Sequence, residues 1–114
     1  MNIQPLNTWI TKDNEPLLIA GPCGAETREQ VLQTAKEIAE IKSVKLFRAG
    51  IWKPRTRPNS FEGVGEEGLH WLKEVQQQYN LKTTVEVANA QHTELASFLK
   101  RGVTLNFVSQ SFCV

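Results

Sequence analysis

Cysteine is scarce in this 114-residue chain: Cys23 and Cys113 are its two thiols, they lie far apart, and no CxxC pair occurs. That spacing suggests neither a disulfide framework nor a zinc ribbon, so each thiol has to be judged separately. Long apolar runs are missing as well. None approaches the roughly 18 to 20 residues that span a bilayer, and the stretch Met1 to Asp13 lacks a basic flank followed by an apolar block. A cytoplasmic protein without a membrane partner is expected. Charge of one sign is not in excess either: thirteen Lys and Arg face twelve Asp and Glu, for a formal charge of +1. No global basic field of the kind that binds nucleic acid exists, and any anion site must be local. The tryptophans Trp9, Trp52 and Trp71 are too scattered for a stacking platform, and their expected role is in the core or in anchoring loops, with Trp52 the exception that could meet a ligand, since it lies inside a cationic loop.

What is present is a hydrophobic content of 40%, enough for a buried core, arranged in a regular alternation. Leu17-Leu18-Ile19-Ala20 is a short apolar run stopped by Gly21-Pro22, which predicts a fully buried strand. Thr27 is placed to cap a helix, with Gln30 three positions on and Val31, Leu32, Ala35, Ile38, Ala39 and Ile41 following at near-helical spacing. A second strand is predicted over Ser43 to Ala49, a second helix over Gly65 to Tyr79, and a third strand over Leu81 to Ala88. Gln91 to Lys100 predicts a third helix closed by Gly102, and Val103 to Val108 opens a fourth strand. Strict alternation of strand and helix implies right-handed crossovers and a parallel sheet covered by helices. A doubly wound sheet and a (β/α)8 barrel both fit. A complete barrel takes about 250 residues, so on that reading this chain supplies roughly the first three to four of eight units.

In both architectures ligands sit at the carboxyl ends of the strands. The residues found there are Gly21-Pro22-Cys23-Gly24-Ala25-Glu26, then Arg48 through Phe61, then Glu86. Arg48, Lys53, Arg55 and Arg57 are crowded together with no acidic residue among them, and Pro54 and Pro58 stiffen the backbone between. Guanidinium groups grip phosphate and carboxylate oxygens in pairs, and lysine adds a mobile point charge. A multiply charged anion is the guest such a loop suits, with a solvated basic loop as the bland alternative. Cys23 could bind a divalent metal or attack a substrate as a thiolate, or be a small buried apolar residue. Glu86 could orient a neighbouring cation, move a proton, or be a paired structural acid. His70 and His92 fall on predicted helices, on the outside of the sheet and away from the strand ends, and neither is assigned to catalysis.

Four stretches together resemble the 3-deoxy-7-phosphoheptulonate (DAHP) synthases: Ile19-Ala20-Gly21-Pro22-Cys23, Phe47-Arg48-Ala49-Gly50-Ile51-Trp52-Lys53-Pro54-Arg55-Thr56, Phe61-Glu62-Gly63-Val64-Gly65-Glu66-Glu67-Gly68 and Thr84-Val85-Glu86-Val87. They occur in the family's order at compatible spacing, and the likeness runs from Leu17 to Val103. It is nearest to the short bacterial branch related to the 8-phosphooctulonate synthases, some members of which carry a fused chorismate mutase domain. The resemblance implies a TIM barrel that condenses phosphoenolpyruvate with erythrose 4-phosphate and releases phosphate, the first step of the shikimate pathway to aromatic amino acids. It further implies a divalent metal ion with Cys23 as one ligand, phosphoenolpyruvate held by Arg48 and Lys53, and erythrose 4-phosphate lined by Pro54, Arg55 and Thr56. Glu86 would be an active-site carboxylate beside those cations, and the complete enzyme a homo-oligomer.

The departures are local until the end of the chain. Gly24 stands where many relatives have serine, Ala49-Gly50 where they have a glycine pair, and Arg57 where serine is commoner. After Val103 the family runs on into an arginine-bearing loop, whereas here Thr104 to Val114 diverges. The expected organisation is therefore an extension over 1–16, a partial barrel over 17–103 and a divergent tail over 104–114, arising from a shifted or truncated reading frame near Val103. The family's other metal ligands, a histidine and two carboxylates, belong to later strands, so the chain by itself is expected to have negligible synthase activity. An 8-phosphooctulonate synthase is the rival enzyme, disfavoured by Lys53-Pro54-Arg55-Thr56. A non-catalytic fragment or interaction module is the rival of another class.

Overall fold

Alternation of strand and helix is borne out along the whole described chain. The computed structural model describes residues 5, 8, 15–53, 58–87, 89–98 and 103–107. The elements are β1 (Leu18–Ala20), α1 (Arg28–Ala39), β2 (Val44–Arg48), α2 (Glu66–Tyr79), β3 (Lys82–Val87), α3 (Ala90–Phe98) and β4 (Val103–Phe107). Gly102, expected to close α3, lies outside the described residues.

The cap read from Thr27 forms as its chemistry dictates. Thr27 is extended at φ −133°, ψ 156°, and its hydroxyl accepts from the Gln30 amide at 3.1 Å. Gln30 returns the contact one residue further out, its Oε1 accepting from the Glu26 amide at 2.8 Å, so two otherwise orphaned N–H groups are satisfied. At the other end of the α2 turn, Asn80 adopts the left-handed conformation (φ 52°) and its amide bonds the Gln76 carbonyl at 3.1 Å, stopping the helix where β3 must begin.

The four strands pair in parallel in the order β1-β2-β3-β4. A doubly wound sheet reverses its strand order at a switch point. Among the described strands no reversal occurs, and each strand is laid beside its predecessor in the manner of a barrel wall. On β3 the side chains alternate: Thr83 faces α2, accepting from Gln76 Nε2 at 2.6 Å, and Val85 and Val87 share that face. There they pack with Phe47, Leu69, Leu72 and Val75, all buried. Burial of each such side chain contributes about 1.5–3 kcal/mol. Thr84 and Glu86 fall on the opposite face, where Arg48 is the register partner of Thr84.

One expectation is corrected. The first strand was expected to be fully buried, yet Leu18 and Ile19 are each 43% exposed. Among the described strands β1 pairs only with β2 and lies at the edge of the sheet, so the apolar character of its residues is not matched there by cover on its other side.

Candidate functional site

The carboxyl ends of β1 and β2 lead into loops that are stitched together by backbone bonds. The Ala25 amide donates to the Gly50 carbonyl at 2.9 Å and the Gly50 amide to the Pro22 carbonyl at 3.4 Å. The segment after β2 is held on its other side by the irregular stretch that leads into α2: the Lys53 amide donates to the Glu62 carbonyl at 2.7 Å and the Gly65 amide to the Ile51 carbonyl at 2.8 Å. The approach is so close that a Cβ on Gly21 would lie 1.7 Å from the Arg48 carbonyl oxygen, which makes glycine obligatory there.

This framework gathers four side chains from three sequence regions. Lys53 is 6% exposed, an unusual burial for a lysine, and its Nζ donates to Cys23 Sγ at 3.3 Å. Arg48, from the last position of β2, donates through Nη2 to Oε1 of Glu86 near the end of β3. Cys23 itself is exposed, so the small buried apolar role does not apply. Its thiol is held below the ordinary thiol range chiefly by the Lys53 hydrogen bond and then the Lys53 charge; partial burial opposes this, and Arg48 adds a hydrogen bond and its charge. Burial works to lower the Arg48 pKa, but Glu86 and Cys23 outweigh it and the net direction is upward.

A family model, the DAHP synthetase I family, matches residues 2–101. The chain belongs to that family. It is 45% identical over 69 residues to a phospho-2-dehydro-3-deoxyheptonate aldolase of Thermotoga maritima, a match covering 60% of this chain and 20% of that protein. It is 33% identical over 91 residues to a 2-dehydro-3-deoxyphosphooctonate aldolase of Syntrophotalea carbinolica, covering 74% of this chain and 33% of that protein. The crystal structure of the Thermotoga maritima DAHP synthase superposes with a TM-score of 0.65 at 34% identity, covering 75% of this chain and 24% of that one. The chain thus spans between a fifth and a third of the length of these relatives. With the sequential parallel strands, this makes the fold a portion of a TIM (β/α)8 barrel.

In this member of the DAHP synthetase I family, Cys23, Arg48, Lys53 and Glu86 are brought together at the strand ends. Pro54, Arg55, Thr56 and Arg57 lie outside the described residues. The position expected for His92, away from the strand ends, is corrected. Its imidazole stacks on the indole of Trp52, with centroids 4.2 Å apart and planes 5° from parallel. The reason is that α3 starts directly after β3, so its first turn rises at the same end of the sheet. Asn89 precedes the helix and caps it, its Oδ1 accepting from the His92 amide at 2.8 Å while Nδ2 meets His92 Nε2 at 3.4 Å. An asparagine three residues before a histidine at a helix start is a readable capping signal; the stack itself has no sequence signature. His70 is exposed on α2 and Trp71 is buried in the core.

Among the described residues no group of three or more His, Cys, Asp or Glu is placed to hold a metal ion. Cys23 is a single donor beside an ammonium group, so this set does not by itself fit a divalent ion, and no chemical step is routed through one. Among the described residues no helix is long and apolar enough to cross a membrane.

Proposed function

We propose that this chain carries the phosphoenolpyruvate-binding part of a DAHP synthase-type centre, which joins phosphoenolpyruvate to erythrose 4-phosphate. The observation that carries this reading is the buried ammonium of Lys53, held at 3.3 Å from the Cys23 thiol where the β1 and β2 ends meet, with Arg48 beside the same sulfur. A buried cation is costly unless an anion completes it, and phosphoenolpyruvate offers both a phosphate and a carboxylate.

In the condensation the methylene carbon of phosphoenolpyruvate bonds to the aldehyde carbon of the sugar, water adds at the neighbouring carbon, and phosphate leaves with the C–O bond electrons. Arg48 and Lys53 neutralise the substrate's charge so that its carbon can approach the aldehyde. Glu86 occupies one N–H of the Arg48 guanidinium and fixes its plane, leaving other donors for oxygens of the ligand. Pro54, Arg55 and Thr56 are proposed to line the sugar phosphate. Cys23, with its thiolate favoured, is proposed as one ligand of a divalent ion whose other donors lie beyond the described residues. Thiolate-to-cobalt charge-transfer absorption on adding cobalt(II) to a full-length relative, lost when its matching cysteine is replaced by alanine, tests that point.

The 114-residue chain is expected to bind phosphoenolpyruvate without turning it over. Calorimetry decides: the wild-type chain gives a saturable heat, and Lys53→Ala, which removes a charge-assisted contact of about 1.5–3 kcal/mol, binds roughly ten- to 150-fold more weakly. Absence of binding by the wild type, or equal binding by Lys53→Ala, defeats the proposal. Phosphate release above a Cys23→Ala control, with both substrates and manganese, would instead show that the chain is active alone. The 8-phosphooctulonate reading has support from the Syntrophotalea relative, but the higher identity is to the heptonate enzyme. Protection against thermal unfolding by arabinose 5-phosphate in place of erythrose 4-phosphate would reverse the choice.

A further inference from the structure

Lys53 reaches Cys23 from a loop, and a flexible side chain on a loop needs something to hold its backbone in place. Backbone bonds from Ile51 to Gly65 and from Lys53 to Glu62 fix the chain direction on one side. On the other, the residue immediately before Lys53 is anchored by an aromatic contact. Trp52 is only 9% exposed, and its ring lies flat on His92 at 4.2 Å. His92 is in turn tied to the first turn of α3 through the Asn89 cap, so the contact joins the loop after β2 to the segment after β3.

We propose that His92 is a positioning residue for the anion site: by stacking on Trp52 it holds Lys53 against Cys23. It touches neither the thiol nor, on this reading, the ligand. A ring pressed face to face fixes the indole in two angular directions, and Lys53, one peptide unit on, inherits that restraint. Without it the loop samples arrangements in which the ammonium is elsewhere, and the apparent affinity for an anion falls by the fraction of molecules still correctly arranged. The imidazole does this as a flat surface. Its burial also lowers its pKa, which disfavours a charge on the ring. An aromatic hydrocarbon ring should therefore serve equally well.

This inference rests on the function proposed above, and its test separates the two. In a Cys113→Ser background, the rate of Cys23 alkylation by iodoacetamide at a fixed neutral pH reports whether Lys53 is beside the thiol, and calorimetry with phosphoenolpyruvate reports the anion site. His92→Ala is expected to slow alkylation and to weaken phosphoenolpyruvate binding about three- to tenfold, the loss of one aromatic stack. His92→Phe should restore both, and His70→Ala, on the exposed face of α2, should alter neither. A merely structural role is set aside by that rescue together with an unchanged melting temperature. Should His92→Ala melt below the assay temperature, His92→Gln, which keeps length and polarity but has no ring, makes the same comparison. The inference is overturned if ring-less variants match the wild type in alkylation while Lys53→Ala does not, or if His92→Phe behaves like His92→Ala. If the wild type binds no phosphoenolpyruvate, the functional proposal falls, and alkylation alone still decides the role of His92.

Discussion

Replacing Gly50 by alanine puts a methyl group where the structure has no room for one. An ideal Cβ at this position lies 2.0 Å from the Cys23 carbonyl oxygen, 2.5 Å from Lys53 Nζ and 2.6 Å from Lys53 Cε. Comfortable non-bonded contacts begin at roughly 3.5 Å, so more than about 1 Å of separation is required. The lysine end can swing away. The carbonyl cannot, because the two loops are tied on either side of it by the Ala25–Gly50 and Gly50–Pro22 bonds. The loops after β1 and β2 must therefore part, at a cost of about 1–3 kcal/mol for overpacking. In a domain of this size each kcal/mol lowers Tm by about 4–8 °C, so a fall of roughly 5–20 °C is expected. Moving Cys23 from Lys53 also removes the cause of its lowered pKa, so thiol alkylation at neutral pH should slow. Gly24 is the internal control: a Cβ there meets Lys53 Cε at 3.7 Å and Phe61 Cε1 at 3.8 Å, ordinary contacts, and Gly24→Ala should leave Tm and alkylation nearly unchanged. Thermal melts by circular dichroism with alkylation on the same samples decide. Gly50→Ala with wild-type Tm and reactivity, or Gly24→Ala equally damaged, would refute the reasoning.

Lys53→Met should move the midpoint of the alkylation-versus-pH curve upward. The thiol's pKa is depressed in the folded chain, so its contribution to stability is present above the unfolded thiol value and fades as pH falls through the folded one; in Lys53→Met that dependence should flatten, as read by urea melts across alkaline pH. Breaking the half-buried Arg48–Glu86 pair by Glu86→Ala should cost about 1–3 kcal/mol in urea unfolding, between the values for exposed and buried pairs. The double variant Arg48→Met with Glu86→Leu should cost less than the two single losses added, and strict additivity would show that the pair is not coupled. Among the described residues Thr84 Oγ1 is buried without a hydrogen-bond partner, so Thr84→Val should be neutral or stabilising by up to about 1 kcal/mol. Thr83→Val, which orphans Gln76 Nε2, should destabilise by about 0.5–1.5 kcal/mol. Reversal of that order in paired melts would argue against the hydrogen-bond assignment.

Much of this protein is legible in its sequence because much of it is local. The Thr27 to Gln30 cap, the apolar stripe of Val31 and Ala35, and the breaks at Gly21 and Gly50 are decided within a turn or two of chain. Alternation of strand and helix then places Cys23, Arg48 and Glu86 at strand ends before any contact is known. The family motifs add what spacing cannot, the identity of the ligands those ends are proposed to meet.

Tertiary structure decided what depends on partners distant in sequence. The choice between a barrel wall and a doubly wound sheet is a matter of strand order, and period-two and helical patterns are the same in both. Leu18 and Ile19 read as buried from their apolar character, but burial follows from neighbours, and among the described strands β1 has one on only one side. Lys53 against Cys23, Arg48 against Glu86 and Trp52 against His92 each join separate loops or strand ends, and none has a periodic signature. Residue type and local spacing set which groups are available at the ends of the strands. Only packing of the sheet and its loops sets which of them touch, and through those contacts which charges are buried and which thiol has its pKa lowered.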